Sequence, residues 1–97
     1  MNKLNNGWQE LINILAEKTN PDDINDICEF LLTKEEKEQL DKRVLLTKEL
    51  LKKEKSQREI SKEIGISIST VTRCSNALKD CSIKIKEIFG KISKKGD

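Results

Sequence analysis

The sequence has no histidine, one proline, four glycines, three cysteines and no long uninterrupted apolar run. Without histidine, and with no phosphate-cradling glycine loop and no pair of carboxylates in an apolar setting, the usual acid–base and nucleophilic arrangements are missing. An enzyme is therefore the least expected class. Cys28, Cys74 and Cys81 are odd in number and irregularly spaced, which argues against a disulfide framework. No histidine is present to complete a zinc site, so no metal is expected and the thiols read as buried and inert. No signal peptide and no apolar run of about 18 residues is evident, so the expected setting is a soluble, cytoplasmic chain in a reducing compartment, with no membrane partner.

What is present is charge. Charged residues make up 37% of the 97 positions and hydrophobic residues 35%. Even with glycine added, that apolar share stays below the usual roughly 45–50%, so one domain with a thin core is expected. The net charge of +2 hides an asymmetry. Residues 1–35 hold three basic and seven acidic side chains, whereas residues 55–97 hold ten basic and five acidic. The C-terminal part is the part drawn towards a polyanion.

Scarce glycine and proline, and no sustained apolar–polar alternation, predict an all-α fold of six helices. Trp8, Leu11, Ile12 and Leu15 share one helical face. Asn20-Pro21-Asp22-Asp23 gives a cap, a preset first position and two acids at the positive end of a helix. The second helix has Ile24, Ile27, Cys28 and Leu31 inward and runs out near Leu32. A Thr33…Glu36 capping box opens the third, with Leu40, Val44, Thr47 and Leu51 inward and Leu46 and Leu50 widening the stripe. Lys52 to Lys55 is a charged connector. Ser82 starts a sixth helix with Ile85, Ile88, Phe89 and Ile92 inward, and the end of the chain is expected to fray. So much apolar face on so small a chain would be enclosed by an interleaved homodimer, although a small monomeric bundle with a few exposed leucines is equally compatible with the composition.

The segment "SQREISKEIGISISTVTRCSNALK" has the form of a helix-turn-helix. A Ser56…Glu59 capping box starts its first helix, which packs through Ile60 and Ile64, and Gly65 supplies the left-handed conformation that ends it. Ile66 fills the turn. Ser67 caps a second helix, from about Ile68 to Lys79, with Ile68, Val71 and Leu78 inward. Ser69, Thr72, Arg73 and Asn76 then share the opposite face, where hydroxyls, an amide and a guanidinium suit base edges and phosphates of a major groove. Candidate DNA contacts are Gln57, Arg58, Ser61, Ile68, Ser69, Thr70, Thr72, Arg73 and Lys79, so Ile68 stands in both sets. On residue chemistry alone, Arg43 reads as a salt-bridging helix residue and Arg73 as a phosphate contact.

From about Phe30 to Ile92 the chain resembles the tryptophan repressors, on "LLTKEEKEQLDKRV", "ELLKKEKSQREI" and "TVTRCSNALK" in that order and spacing. The resemblance implies an intertwined homodimer that binds double-stranded operator DNA when L-tryptophan, its corepressor and only cofactor-like ligand, is bound. Residues 1–54 would then serve mainly dimerisation, 56–79 the helix-turn-helix, 82–93 a further dimerisation helix and 94–97 a tail. It implies that Arg43 and Arg73 sandwich the indole, that Arg73 and Thr33 hold the carboxylate, and that the carbonyls of Phe30 and Leu32 receive the ammonium group across the dimer interface. Cys74 and Ala77 also fall in this site, where the family usually has glycine and often serine. The chemistry is sound, since a planar guanidinium both stacks on an aromatic ring and pairs with a carboxylate. Two alternatives remain: a helix-turn-helix regulator that needs no tryptophan or answers to another indole, and an interaction module whose basic half docks on an acidic protein.

Overall fold

The computed structural model describes the backbone of residues 3–95 and the side chains of residues 6–90. Six helices follow in order: α1 (Lys3–Glu17), α2 (Pro21–Leu31), α3 (Lys34–Lys52), α4 (Gln57–Ile64), α5 (Ile68–Asp80) and α6 (Ile83–Lys95). No strand occurs among the described residues, so the fold is all-α as the composition predicts. The helix starts follow local chemistry. Asn20 accepts from the Asp22 N–H at 2.8 Å. The Thr33–Glu36 box closes in both directions, at 3.1 and 2.9 Å. Ser82 accepts from the Ile85 N–H at 3.3 Å.

Two compact units follow one another, one up to Lys37 and one from Glu38. In the first, α2 ends where the Leu32 N–H bonds back to the Cys28 carbonyl, and Lys37 pairs with Glu29. Its apolar face is only partly covered. Leu11, Leu15, Ile24, Ile27 and Cys28 are half-buried, but Trp8, Ile12 and Leu31, expected inward, are exposed. An apolar hollow of about 370 Å³ lies over Ile14, Asp26, Ile27, Phe30 and Leu31.

The second unit is built on Leu46, Ile60 and Val71, one residue from each of α3, α4 and α5, all at 1% exposure or less. Leu50, Ile64, Ile66 and Cys74 pack around them. This corrects the expected inward face of α3. Leu40 and Val44 are exposed, because the three-residue core engages the Leu46–Leu50 edge of a stripe wider than it can cover. Ile68 is likewise exposed rather than inward: as the first residue of α5, its side chain leans towards the open helix start, away from Val71. Ile85 and Ile88 of α6 are exposed while Phe89 is half-buried, and the side chain of Ile92 lies outside the described residues. The connector begins one residue later than expected. Helix α3 continues through Lys52, and Lys53 ends it with φ of 56°.

Candidate functional site

Helices α4 and α5 are fixed by short-range hydrogen bonds that their sequence encodes. Ser56 accepts from the Glu59 N–H at 3.1 Å, and the Glu59 carboxylate accepts from the Ser56 N–H at 2.9 Å. Those bonds to Ser56 hold the Glu59 carboxyl below its usual value. Lys55 donates to Glu63 at 2.7 Å, which raises the ammonium pKa. Gly65 takes φ of 80° and ends α4, and its N–H bonds to the Ser61 carbonyl at 2.9 Å. The same carbonyl accepts from the Ile66 N–H at 3.1 Å, while the Ser61 hydroxyl donates to the Ile66 carbonyl. Ser61 therefore closes the turn from both sides.

Ser67 then caps α5, accepting from the Thr70 N–H at 3.1 Å, and its hydroxyl lies 3.0 and 2.8 Å from those of Ser69 and Thr70. Across the motif, the Thr72 hydroxyl donates to the Gln57 side-chain oxygen at 2.7 Å. The first turn of α4 and the middle of α5 are thus pinned together at the surface. Gln57 is half-buried, and Arg58, Ser69, Thr72, Arg73, Asn76 and Lys79 are exposed.

Because successive helical residues turn by about 100°, α5 has distinct sides. Val71 and Leu78 form its back, and Ser69, Thr72, Arg73 and Asn76 its front. One flank carries Thr70, Cys74 and Ala77; the other carries Ser75 and Lys79. The first flank faces α3 across a groove of about 250 Å³ lined by Arg43, Leu46, Thr47, Thr70, Arg73, Cys74 and Ala77. Arg73 stands where this groove meets the front. The volume is close to the lower end of the roughly 300–1,000 Å³ of small-molecule sites, and the groove is open on one side.

Of the candidate ligand residues, Arg43, Arg73, Cys74 and Ala77 are brought together on this groove. Phe30, Leu32 and Thr33 belong to the first unit, where Phe30 is 87% exposed and the Thr33 hydroxyl caps α3. The Cys74 sulfur lies 3.9 Å from the Thr47 hydroxyl, which itself donates to the Arg43 carbonyl at 2.8 Å. Leu46, Thr47 and Thr70 were not foreseen as groove residues. Their spacing was the available signal: Leu46 and Thr47 lie three and four residues from Arg43, and Thr70 lies three from Arg73. Among the described residues no cluster of three or more potential metal ligands occurs, and no helix is long and apolar enough to cross a membrane.

A family model described as Trp repressor protein matches residues 6–93. The chain belongs to the Trp repressor family. A Trp operon repressor homolog of Chlamydia caviae is 34% identical over 90 residues, covering 93% of this chain and 89% of that protein. Homologs of the same name from Vibrio parahaemolyticus and Xylella fastidiosa are each 39% identical, over 75 and 77 residues. They cover 77% and 79% of this chain, and 73% and 84% of their own lengths. The Trp repressor family comprises DNA-binding regulators of transcription rather than enzymes, and the chain is a repressor of this helix-turn-helix kind.

Proposed function

We propose that the chain represses genes of tryptophan biosynthesis or uptake by binding an operator when L-tryptophan fills the groove between α3 and α5. The observation that carries this is the position of Arg73, which lines the groove with Arg43 and also borders the exposed front of α5. In this reading the indole lies between the two guanidinium groups and its carboxylate pairs with Arg73. The bound ligand then fixes α5 at the angle that lets Ser69, Thr70 and Thr72 reach the major groove, with Gln57, Arg58 and Lys79 on the backbone.

The protein acts as a cytoplasmic homodimer, needs no cofactor beyond tryptophan, and places two copies of α5 in successive major grooves. Exposure of Trp8, Phe30, Leu31 and Ile83 supports the dimer, since that much bare apolar surface is expected to be covered. Phe30, Leu32 and Thr33 of a second copy would complete the ligand site. Cys74 lines the groove where the family usually has glycine, and tryptophan would have to share the space with its side chain. That half-buried side chain packs towards the Leu46–Ile60–Val71 core and Thr47, so the sulfur has a place other than the centre of the groove.

Calorimetric titration with L-tryptophan tests the ligand claim. Binding to the unaltered protein is expected, and Arg43→Ala should weaken it about 10- to 100-fold through lost stacking and charge. Absence of binding at millimolar tryptophan would reject the ligand.

A further inference from the structure

The second flank of α5 carries a feature that tryptophan control does not use. A groove of about 410 Å³ is lined by Leu50, Leu51 and Lys53 from the end of α3, Ser75, Leu78 and Lys79 from α5, and Lys86 from α6. Three leucines form its floor and three lysines its rim. Lys53, Lys79 and Lys86 have no acidic partner among the described residues, whereas the nearby Lys52 and Lys55 are neutralised by Glu49 and Glu63. Lysine stems can lie along such an apolar floor with their ammonium heads in water.

Two further observations give the rim a direction. Lys79 is turned only about 60° around the helix from Asn76, so the rim runs on from the front of α5. Lys53 adopts φ of 56°, a left-handed conformation that glycine takes freely and lysine takes at a cost. That conformation is the one that ends α3, so glycine at this position would relieve the backbone while removing the charge.

From these we infer that Lys53 and Lys86, with Lys79, form a phosphate-binding ridge that extends the DNA footprint beyond the helix-turn-helix onto α3 and α6. The occupant is the phosphodiester backbone flanking the site that α5 reads, and the Ser75 hydroxyl on the groove wall is available to the same phosphates. This inference rests on the DNA-binding reading of the front face but not on tryptophan control. An array of unpaired cations over an apolar floor recognises repeated negative charge without regard to base sequence.

The test compares the full chain with Lys53→Gly, Lys86→Gln and the double variant. Duplex affinity is measured against salt by fluorescence anisotropy, on an unrelated duplex without tryptophan and on a palindromic operator with it. Each substitution removes two cations from the dimer and should flatten the dependence of log affinity on log salt by about 1.8, and the double variant by about 3.6, equally on both duplexes. Tryptophan affinity should not change. Lys53→Gly should raise the melting temperature while lowering DNA affinity, a pair of opposite effects that a structural role would not give. Unchanged salt slopes beside a normally binding parent would overturn the ridge, as would unchanged slopes with a loss of the dimer, which would make the groove a subunit contact. A parent whose operator binding ignores tryptophan, with lysine variants that still lose slope on the unrelated duplex, would instead count against the proposed function alone.

Discussion

Thr72 on the reading helix donates a hydrogen bond to Gln57 at the start of the preceding helix, 2.7 Å away and 15 residues earlier in the chain. Both residues are candidate DNA contacts, and the bond fixes the distance between them in the free protein. The bond is at the surface, where a neutral hydrogen bond contributes about 0.5–1.5 kcal/mol. Thr72→Val keeps the shape and removes the donor. Urea unfolding should show a loss within that range, while anisotropy should show operator affinity falling at least tenfold, because preorganisation is lost together with a contact.

Gly65 is held at φ of 80° with nothing within 4 Å of where a Cβ would stand. The cost of Gly65→Ala is therefore conformational rather than steric, about 1–2 kcal/mol. Gly65→Asn should cost less, since asparagine tolerates the left-handed region better. Equal losses for the two variants in chemical denaturation would contradict this account of the turn.

The acid limb of stability should depend on Glu59. Its carboxyl is held below the usual 4.5 by the Ser56 N–H. A carboxyl depressed in the folded state stabilises above its unfolded pKa, and that contribution disappears as pH falls through the lower folded value. Glu59→Gln should therefore be less stable than the parent near neutral pH, and the two should converge below pH 4.5. Glutamine can still close the capping box, so melting curves across pH 3–7 would show parallel behaviour if the Glu59 charge contributed nothing.

The small core should be sensitive. Leu46 is 1% exposed and also lines the arginine groove. Leu46→Ala should cost about 2–5 kcal/mol, and Ile60→Val, which does not touch the groove, about 0.5–1.5 kcal/mol. Tryptophan titration of the folded fraction should be altered by the first and not by the second.

The helix starts were legible because their causes lie within three residues: Asn20 with Asp22, Thr33 with Glu36, Ser56 with Glu59, Ser67 with Thr70. The left-handed Gly65 was legible for the same reason. The buried face of α3 was not, because Leu40, Val44, Leu46, Leu50 and Leu51 spread round the helix and only tertiary contact with Ile60 and Val71 selects Leu46. Lys53 at positive φ was hidden, since lysine carries no local signal for that conformation. The gathering of Arg43 and Arg73 on one groove was foreseen from family resemblance, and residue chemistry alone would have separated them.

Arg73 lines the α3–α5 groove and also borders the exposed front of α5, and the proposed function requires ligand binding in the one to be coupled to DNA binding by the other. Operator affinity of the full chain, measured by fluorescence anisotropy with and without saturating L-tryptophan, tests this most directly. A coupling of about 1–3 kcal/mol per site predicts binding tightened by about 5- to 150-fold for each groove filled. Equal operator affinity in the two conditions, with tryptophan shown to be bound, would contradict it.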